Sequence, residues 1–365
     1  EETRGTLFYS IAKIVEAKKP RMVLLENVRN IAGPRHIHEW AVIIKTLRDL
    51  GYRVSSEPLV ISPHKIRPEF GGRPQVRDRV FICATRLPDG VQEIPENVRP
   101  PDLQPVMMNW DPQEWDLVLS ENEKLWLTAW NDFVITMWEQ VGDGSLPGFP
   151  IWVDAWVDLE NLEIPQDAPK WKQDFLQKNS AFYTQYKDVL DDWLNRHNHL
   201  SDFPVSRTKF EWQAQRAKTL YETVMHFRPS GIRAKRATYL PALVAITQTS
   251  ILGWEKRRIS PDEGRRLQGF PDWFNFHDQK DSETFKQLGN AVCVGAVFNV
   301  LRAHATRDVD LLTANPDFIR ALIGGLASPD LIIHDKDAMA ALSDNNEQLS
   351  IEDTERIQLN ESITS

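Results

Sequence analysis

Cysteine is almost absent from this 365-residue chain: Cys83 and Cys293 stand alone and far apart. That excludes a disulfide framework and a cysteine-based zinc site, and it suits a reducing cytoplasm. No apolar run approaches the ~20 residues of a membrane span, and no stretch has the pattern of a secretory signal, so no membrane partner is expected. His36 and His38 are too few for a metal site and read as loop or surface residues, so no metal is expected either. There is no internal repeat and no glycine-rich cofactor loop. A basic balance is lacking too, with a formal charge of −9.

That charge is segregated. Residues 89–200 carry a net −14, residues 205–258 a net +8, and residues 307–365 a net −8. Phosphate contact needs a local basic surface, not a basic total. Only 205–258 and the shorter stretch 64–79 offer one.

Periodicity supplies the elements. Thr6 to Ala17 reads as an amphipathic helix with Phe8, Ile11, Ile14 and Val15 on one face. Met22 to Leu25 is continuously apolar, as in a strand buried on both faces of a parallel sheet. Trp40 to Leu50 reads as a helix, and Arg53 to Ile61 and Val80 to Thr85 as strands, so residues 1–87 look doubly wound α/β. After Pro88 the chain turns acidic, and ten of thirteen tryptophans fall between 110 and 212. Trp126, Trp130 and Trp138 can share one helix face. In so acidic a segment they are expected as the core of a helical insert rather than as a base-stacking platform. Ser260-Pro261-Asp262-Glu263 carries the signature of a capped helix start. Phe285 to Ala303 reads as one long helical stretch, and 340–365 as poorly ordered.

Five motifs follow one another: Arg4-Gly5-Thr6-Leu7-Phe8, Glu26-Asn27-Val28, Gln75-Val76-Arg77-Asp78-Arg79, Arg266-Leu267-Gln268-Gly269-Phe270-Pro271 and Gln287-Leu288-Gly289-Asn290-Ala291-Val292. In this order, with a long variable segment between the third and fourth, they resemble the part of the bacterial DNA (cytosine-5)-methyltransferases that follows the Pro-Cys-Gln loop. The resemblance implies a partial Rossmann-like S-adenosylmethionine-dependent methyltransferase domain with a large inserted target-recognition domain. The expected domains are 1–87 and 258–305 (catalytic), 88–257 (recognition) and 306–365 (an acidic extension, partly disordered). The sequence departs from the family pattern in two places. No Pro-Cys-Gln is present, so the first four motifs are expected to be missing. The approach to Gln75 is lengthened by Pro68 to Pro74.

The chemistry explains the residue types. Cytosine C5 takes a methyl group only after a thiolate adds to C6. The density then pushed onto the ring calls for a proton or strong hydrogen bond at N3. Glu26 matches the family carboxyl for that task, at the end of a strand where α/β sheets place their sites. Asn27 is expected to hold the following loop. Arg79 matches the donor to cytosine O2, with Arg77 supporting it or a phosphate; the plain alternative for Arg79 is a surface pair with Asp78. Gln75 is expected to shape the loop. Asn290 and Ala291 resemble the family's contribution to the S-adenosylmethionine pocket, against a plain helix cap. Leu7 is expected to line the same pocket, against simple core. Cys83 and Cys293 are expected to be buried thiols, not nucleophiles.

Arg228, Arg233, Lys235 and Arg236, joined by Arg207 and Lys209, are expected to meet double-stranded DNA, the alternative being a solvated basic face. The chain is therefore expected to act in DNA methylation within bacterial restriction-modification, yet to be inactive alone. It is expected to be either an incomplete copy of a one-chain enzyme or a subunit whose N-terminal partner carries the Pro-Cys-Gln loop. The rival is a non-catalytic DNA-binding or specificity subunit.

Overall fold

The computed structural model describes residues 6–91, 97–98, 119–142, 146–244, 249–313, 316–324 and 328–332. In chain order the main helices are α1 (Thr6–Lys18), α2 (Ile37–Asp49), α3 (Glu121–Val141), α4 (Lys170–Gln185), α5 (Lys187–Arg196), α6 (Pro261–Leu267), α7 (Asp281–Asn290) and α8 (Val294–Arg307). The strands are β1 (Met22–Val28), β2 (Tyr52–Val54), β3 (Leu59–Ile61), β4 (Gln75–Val76), β5 (Arg79–Arg86), β6 (Ile151–Trp152), β7 (Lys209–Gln213), β8 (Thr223–Arg228), β9 (Gly231–Arg236), β10 (Leu240–Pro241), β11 (Ile251–Leu252) and β12 (Arg257–Arg258). They form two compact units: Glu1–Val106, Arg265–Gln279 and Asn290–Ser365 in the first, Met107–Gly264 and Lys280–Gly289 in the second. The opening Arg4-Gly5 and the tail 340–365 lie outside the described residues.

The first unit is α/β, but its sheet is not the parallel one expected for residues 1–87. Strand β5 is central and every neighbour runs antiparallel to it. β1 covers one edge, from Met22↔Thr85 to Val28↔Arg79. β2 and β3 share the other edge, ending at Val54↔Ala84 and resuming at Leu59↔Phe81. The single strand expected over 53–61 is thus broken at Ser55-Ser56-Glu57-Pro58, where proline has no amide proton for the ladder. Alternation along β5 feeds two cores. Val80, Ile82 and Ala84 pack with Trp40, Ile43 and Leu47 of α2. Phe81 and Cys83 pack with Cys293 and with Ala296 and Val300 of α8. Helices therefore cover both faces, as an α/β layer arrangement requires. β1 is less buried than expected, Val23 being its one fully buried residue.

In α1 the buried stripe is Phe8, Ile11, Ala12 and Val15. Ile14, expected on it, is 61% exposed, since it lies about 110° around the helix from that stripe. The expected long helix from Phe285 is broken into α7, which belongs to the second unit up to Gly289, and α8, which belongs to the first. The backbone between them is held by tertiary partners: Ala291 O accepts from Arg77 Nη2 at 2.7 Å, and Val294 N donates to Gln268 O at 2.9 Å. Gly295 then passes so close to Gly71 that a Cβ there would lie 2.1 Å from the Gly71 carbonyl oxygen.

In the second unit a six-stranded sheet has the order β12-β11-β8-β9-β7-β6, parallel only between β7 and β9. One face carries Phe210, Trp212, Met225, Phe227, Ile232 and Ala234, packed with α3 and α5. Trp126, Trp130 and Trp138 pack in or against this core, as expected, but the insert is not helical alone: the core is built on the six-stranded sheet, and Trp171 stays exposed. Trp130 stacks on Phe210 with centroids 4.6 Å apart, and its indole N–H donates to Arg207 O at 2.8 Å. Trp193 donates to Ala129 O at 3.0 Å. The capped start of α6 forms as expected: Glu263 N donates to Ser260 Oγ at 3.0 Å and Ser260 N to Glu263 Oε2 at 2.7 Å.

Candidate active site and nucleic-acid face

The β1–β5 register brings the two key motifs together. Val28 stands opposite Arg79 and Glu26 opposite Phe81, so Glu26 and Arg79 are diagonal neighbours on one face of the ladder. Long side chains span that diagonal, and Arg79 Nε meets Glu26 Oε1 at 2.8 Å. Both remain partly open, with Glu26 29% and Arg79 16% exposed at the side chain. Asp78, the alternative partner for Arg79, pairs with Arg29 instead, at 2.9 Å. Asn27 Oδ1 accepts from Val28 N at 2.8 Å, which stiffens the exit from the strand.

Arg77 is buried and structural in its contacts. Its amide donates to Ser62 Oγ at 2.9 Å, and its guanidinium reaches Ala291 O. Burial and the neighbouring Arg79 push its pKa down to about 10. Gln75 is fully buried, and its side-chain amide has no hydrogen-bond partner among the described residues. A buried amide left so costs about 1–3 kcal/mol. Ser62 carries no sequence signal of its role, lying fifteen residues before the arginine it fixes.

Both cysteines are buried and free. Burial pushes the Cys83 thiol up to about 12 and raises that of Cys293, and a thiol must ionise to attack. Of the positions expected at the cofactor, Leu7 is 67% exposed on α1, Asn290 is exposed at the end of α7, and Ala291 has its carbonyl occupied by Arg77. One exposed leucine and one exposed amide do not make a nucleotide cradle.

The basic residues of the second unit divide by strand alternation. Arg207 is buried, with its guanidinium 4.6 Å from the Phe227 ring and 5.3 Å from that of Trp126, and it donates to Arg228 O at 3.0 Å. Its expected phosphate contact is corrected: the charge is spent inside the core. Lys209 lies 5.0 Å from the Trp152 ring and 3.3 Å from Asp154. Arg228, Arg233 and Lys235 lie on the sheet face opposite the tryptophan core, and Arg236 is exposed. Arg233 Nε donates to Glu211 at 2.7 Å, and Arg228 lies 3.7 Å from the same carboxylate. Two residues on this face were not singled out in the sequence: His226 and its partner Ser250, 2.9 Å apart. The outward alternation Val224, His226, Arg228 was the available signal.

The family profile described as "C-5 cytosine-specific DNA methylase" matches residues 1–306. Among curated relatives, "Type II methyltransferase M.AluI" of Cellulosimicrobium cellulans is 40% identical over 91% of this chain and 80% of its own length. "Type II methyltransferase M.HhaI" of Haemophilus parahaemolyticus is 25% identical over 83% of this chain and 67% of its own. Among solved structures, a "putative DNA modification methyltransferase encoded within prophage" (E. coli) is 18% identical with a TM-score of 0.39, over 84% of this chain and 75% of that one.

Proposed function

The chain belongs to the C-5 cytosine-specific DNA methylases, and from that premise we propose that it carries the cytosine-edge half of such an enzyme, acting in a bacterial type II restriction-modification setting. The observation that carries the reading is the Glu26–Arg79 pair. A carboxyl group and a guanidinium on one face match the adjacent N3 and O2 of a cytosine taken out of the helix stack. Glu26 delivers or shares a proton at N3 as density builds on the ring. Arg79 donates to O2 through a planar, rigid guanidinium fork. Arg77, Ser62 and Asn27 hold those two in place. Gln75 shapes the loop from within.

S-adenosylmethionine is the methyl donor of the family and supplies an electrophilic methyl group when bound. Leu7, Asn290 and Ala291 would border it without holding it. The thiolate is not among these residues either, since both cysteines are buried with raised pKa values. Nucleophile and most of the donor site therefore come from outside these 365 residues, on the same polypeptide or on a separate N-terminal subunit. The recognition role falls to the second unit, through Arg228, Arg233, Lys235 and Arg236.

The test is methyl transfer to duplex DNA from radiolabelled S-adenosylmethionine. Incorporation at cytosine C5 is expected only when the chain is joined to, or mixed with, a polypeptide carrying Pro-Cys-Gln. DNA binding without incorporation in any such combination would favour a non-catalytic specificity subunit instead.

A further inference from the structure

Behind Arg228 and Arg233 the second unit holds a cavity of about 350 Å³. Its floor is the outer face of β8 and β9, where His226 stands opposite Arg233 in register. Its walls are Pro241 to Val244, Thr249 with Ser250, and Phe285. None of the described residues lining it is acidic. The charged groups that face His226 are Lys235, Arg228, Arg233 and Arg258, with Glu211 as the carboxylate beside Arg233 and Arg228. Lys235 is half-buried, and burial and Arg233 lower its pKa. Three cations of the lining, Lys235, Arg228 and Arg233, around the one carboxylate of Glu211 in a partly enclosed space repel one another, so the cleft is short of negative charge; Arg258, outside the lining, is paired with Glu123. An oxyanion supplies what is missing, and Ser250 and His226 add hydrogen-bonding groups to the guanidinium and ammonium donors. Aliphatic and aromatic walls limit water there, which strengthens each of these interactions.

We propose that this cavity seats a phosphodiester of the DNA backbone, and that His226 takes a proton from solvent as the phosphate enters. This rests on DNA being the substrate of the chain. The free protein holds His226 neutral: burial first, then Lys235, Arg228, Arg233 and Arg258, push its pKa down to about 4. An anion placed among those cations reverses their effect and raises it. One proton is then bound with the DNA, so affinity tightens as pH falls from neutrality, by up to tenfold per pH unit for one proton taken up. The same histidine makes the site a positioning element sensitive to how deeply the backbone is seated.

The experiment measures duplex affinity of the full chain between pH 5.5 and 8, at fixed salt, for the native protein and for His226→Gln. The native protein is expected to lose affinity as pH rises while His226→Gln shows a flatter profile. Arg228→Ala is expected to reduce the log–log salt slope by about 0.9. A proton NMR titration of the His226 imidazole in the native protein, with and without duplex, needs no variant and should show its pKa rising on binding. Equal pH profiles in both proteins, or an imidazole unmoved by DNA, overturn the inference while leaving DNA binding intact. No duplex binding by the native chain at any pH overturns both it and the reading beneath it. An imidazole shift produced by inorganic phosphate alone, and not by duplex, assigns the cavity to a free phosphate and overturns the DNA assignment.

Discussion

Glu26 and Arg79 are paired with each other before any base arrives. The pair holds both groups on the ladder face, so little side-chain freedom remains to be lost on binding. Glu26→Gln keeps the shape and a hydrogen bond but cannot protonate N3. In an assembly that supplies the thiolate, turnover should fall by roughly 10²–10⁴-fold with DNA affinity nearly unchanged. Single-turnover methylation alongside a binding isotherm separates the two, and near-normal turnover would remove Glu26 from the chemistry. Arg207 makes the opposite case. Its guanidinium lies between Trp126 and Phe227, so Arg207→Ala should lower the thermal midpoint, by the equivalent of about 1–3 kcal/mol, and leave the salt slope of DNA binding alone. A reduced slope in a stably folded variant would return Arg207 to the DNA face. From the sequence the two arginines look alike, because burial depends on the strand face each residue lands on, and that is set by partners far along the chain.

At the level of elements, signals carried by neighbouring residues are the most legible ones. The Ser260 and Glu263 cap is a four-residue signal, and it forms. Ser260→Ala should cost about 0.5–2 kcal/mol, read as a lower urea midpoint; an unchanged midpoint would mean that the cap contributes nothing. The apolar run at Met22–Leu25 marked a strand, but composition does not encode direction, and β1 pairs antiparallel with β5. The break between α7 and α8 was illegible for a related reason. Residues 291–294 are apolar and helix-compatible, and Arg77 and Gln268, far away in sequence, bond to their backbone where the helix breaks. The close passage at Gly295 makes a sharper test. Gly295→Ala places a methyl group against the Gly71 carbonyl, and should destabilise its own unit more than Gly148→Ala, which meets nothing within 4 Å, destabilises the second unit. Equal unfolding midpoints would show that the loop before Gln75 yields freely.

For the molecule as a whole, acid is the expected weakness. His226 and His304 are buried, and burial lowers the pKa of each. His304 shares its Nε2 with Thr85 at 2.8 Å and Asp308 at 3.2 Å. Unfolded histidine titrates near 6.5, so below that value the unfolded chain binds protons that the native one refuses. Stability is therefore complete above about pH 6.5 and declines as pH falls toward the folded-state values. Asp308, whose pKa is lowered chiefly by its hydrogen bonds to His304 and Arg307 against the opposing effect of burial, adds a further loss in stronger acid. Urea midpoints at pH 7.5, 6 and 5 should fall in that order; a flat series would mean that both imidazoles protonate in place. The tryptophan core, finally, gives the molecule unequal optical visibility. Among the described residues, nine of eleven indoles belong to the second unit, and Trp40 and Trp273 to the first. Intrinsic emission during denaturation will therefore follow the second unit almost alone. The first can loosen largely masked by that background, and a label placed beside Trp40 would report it directly.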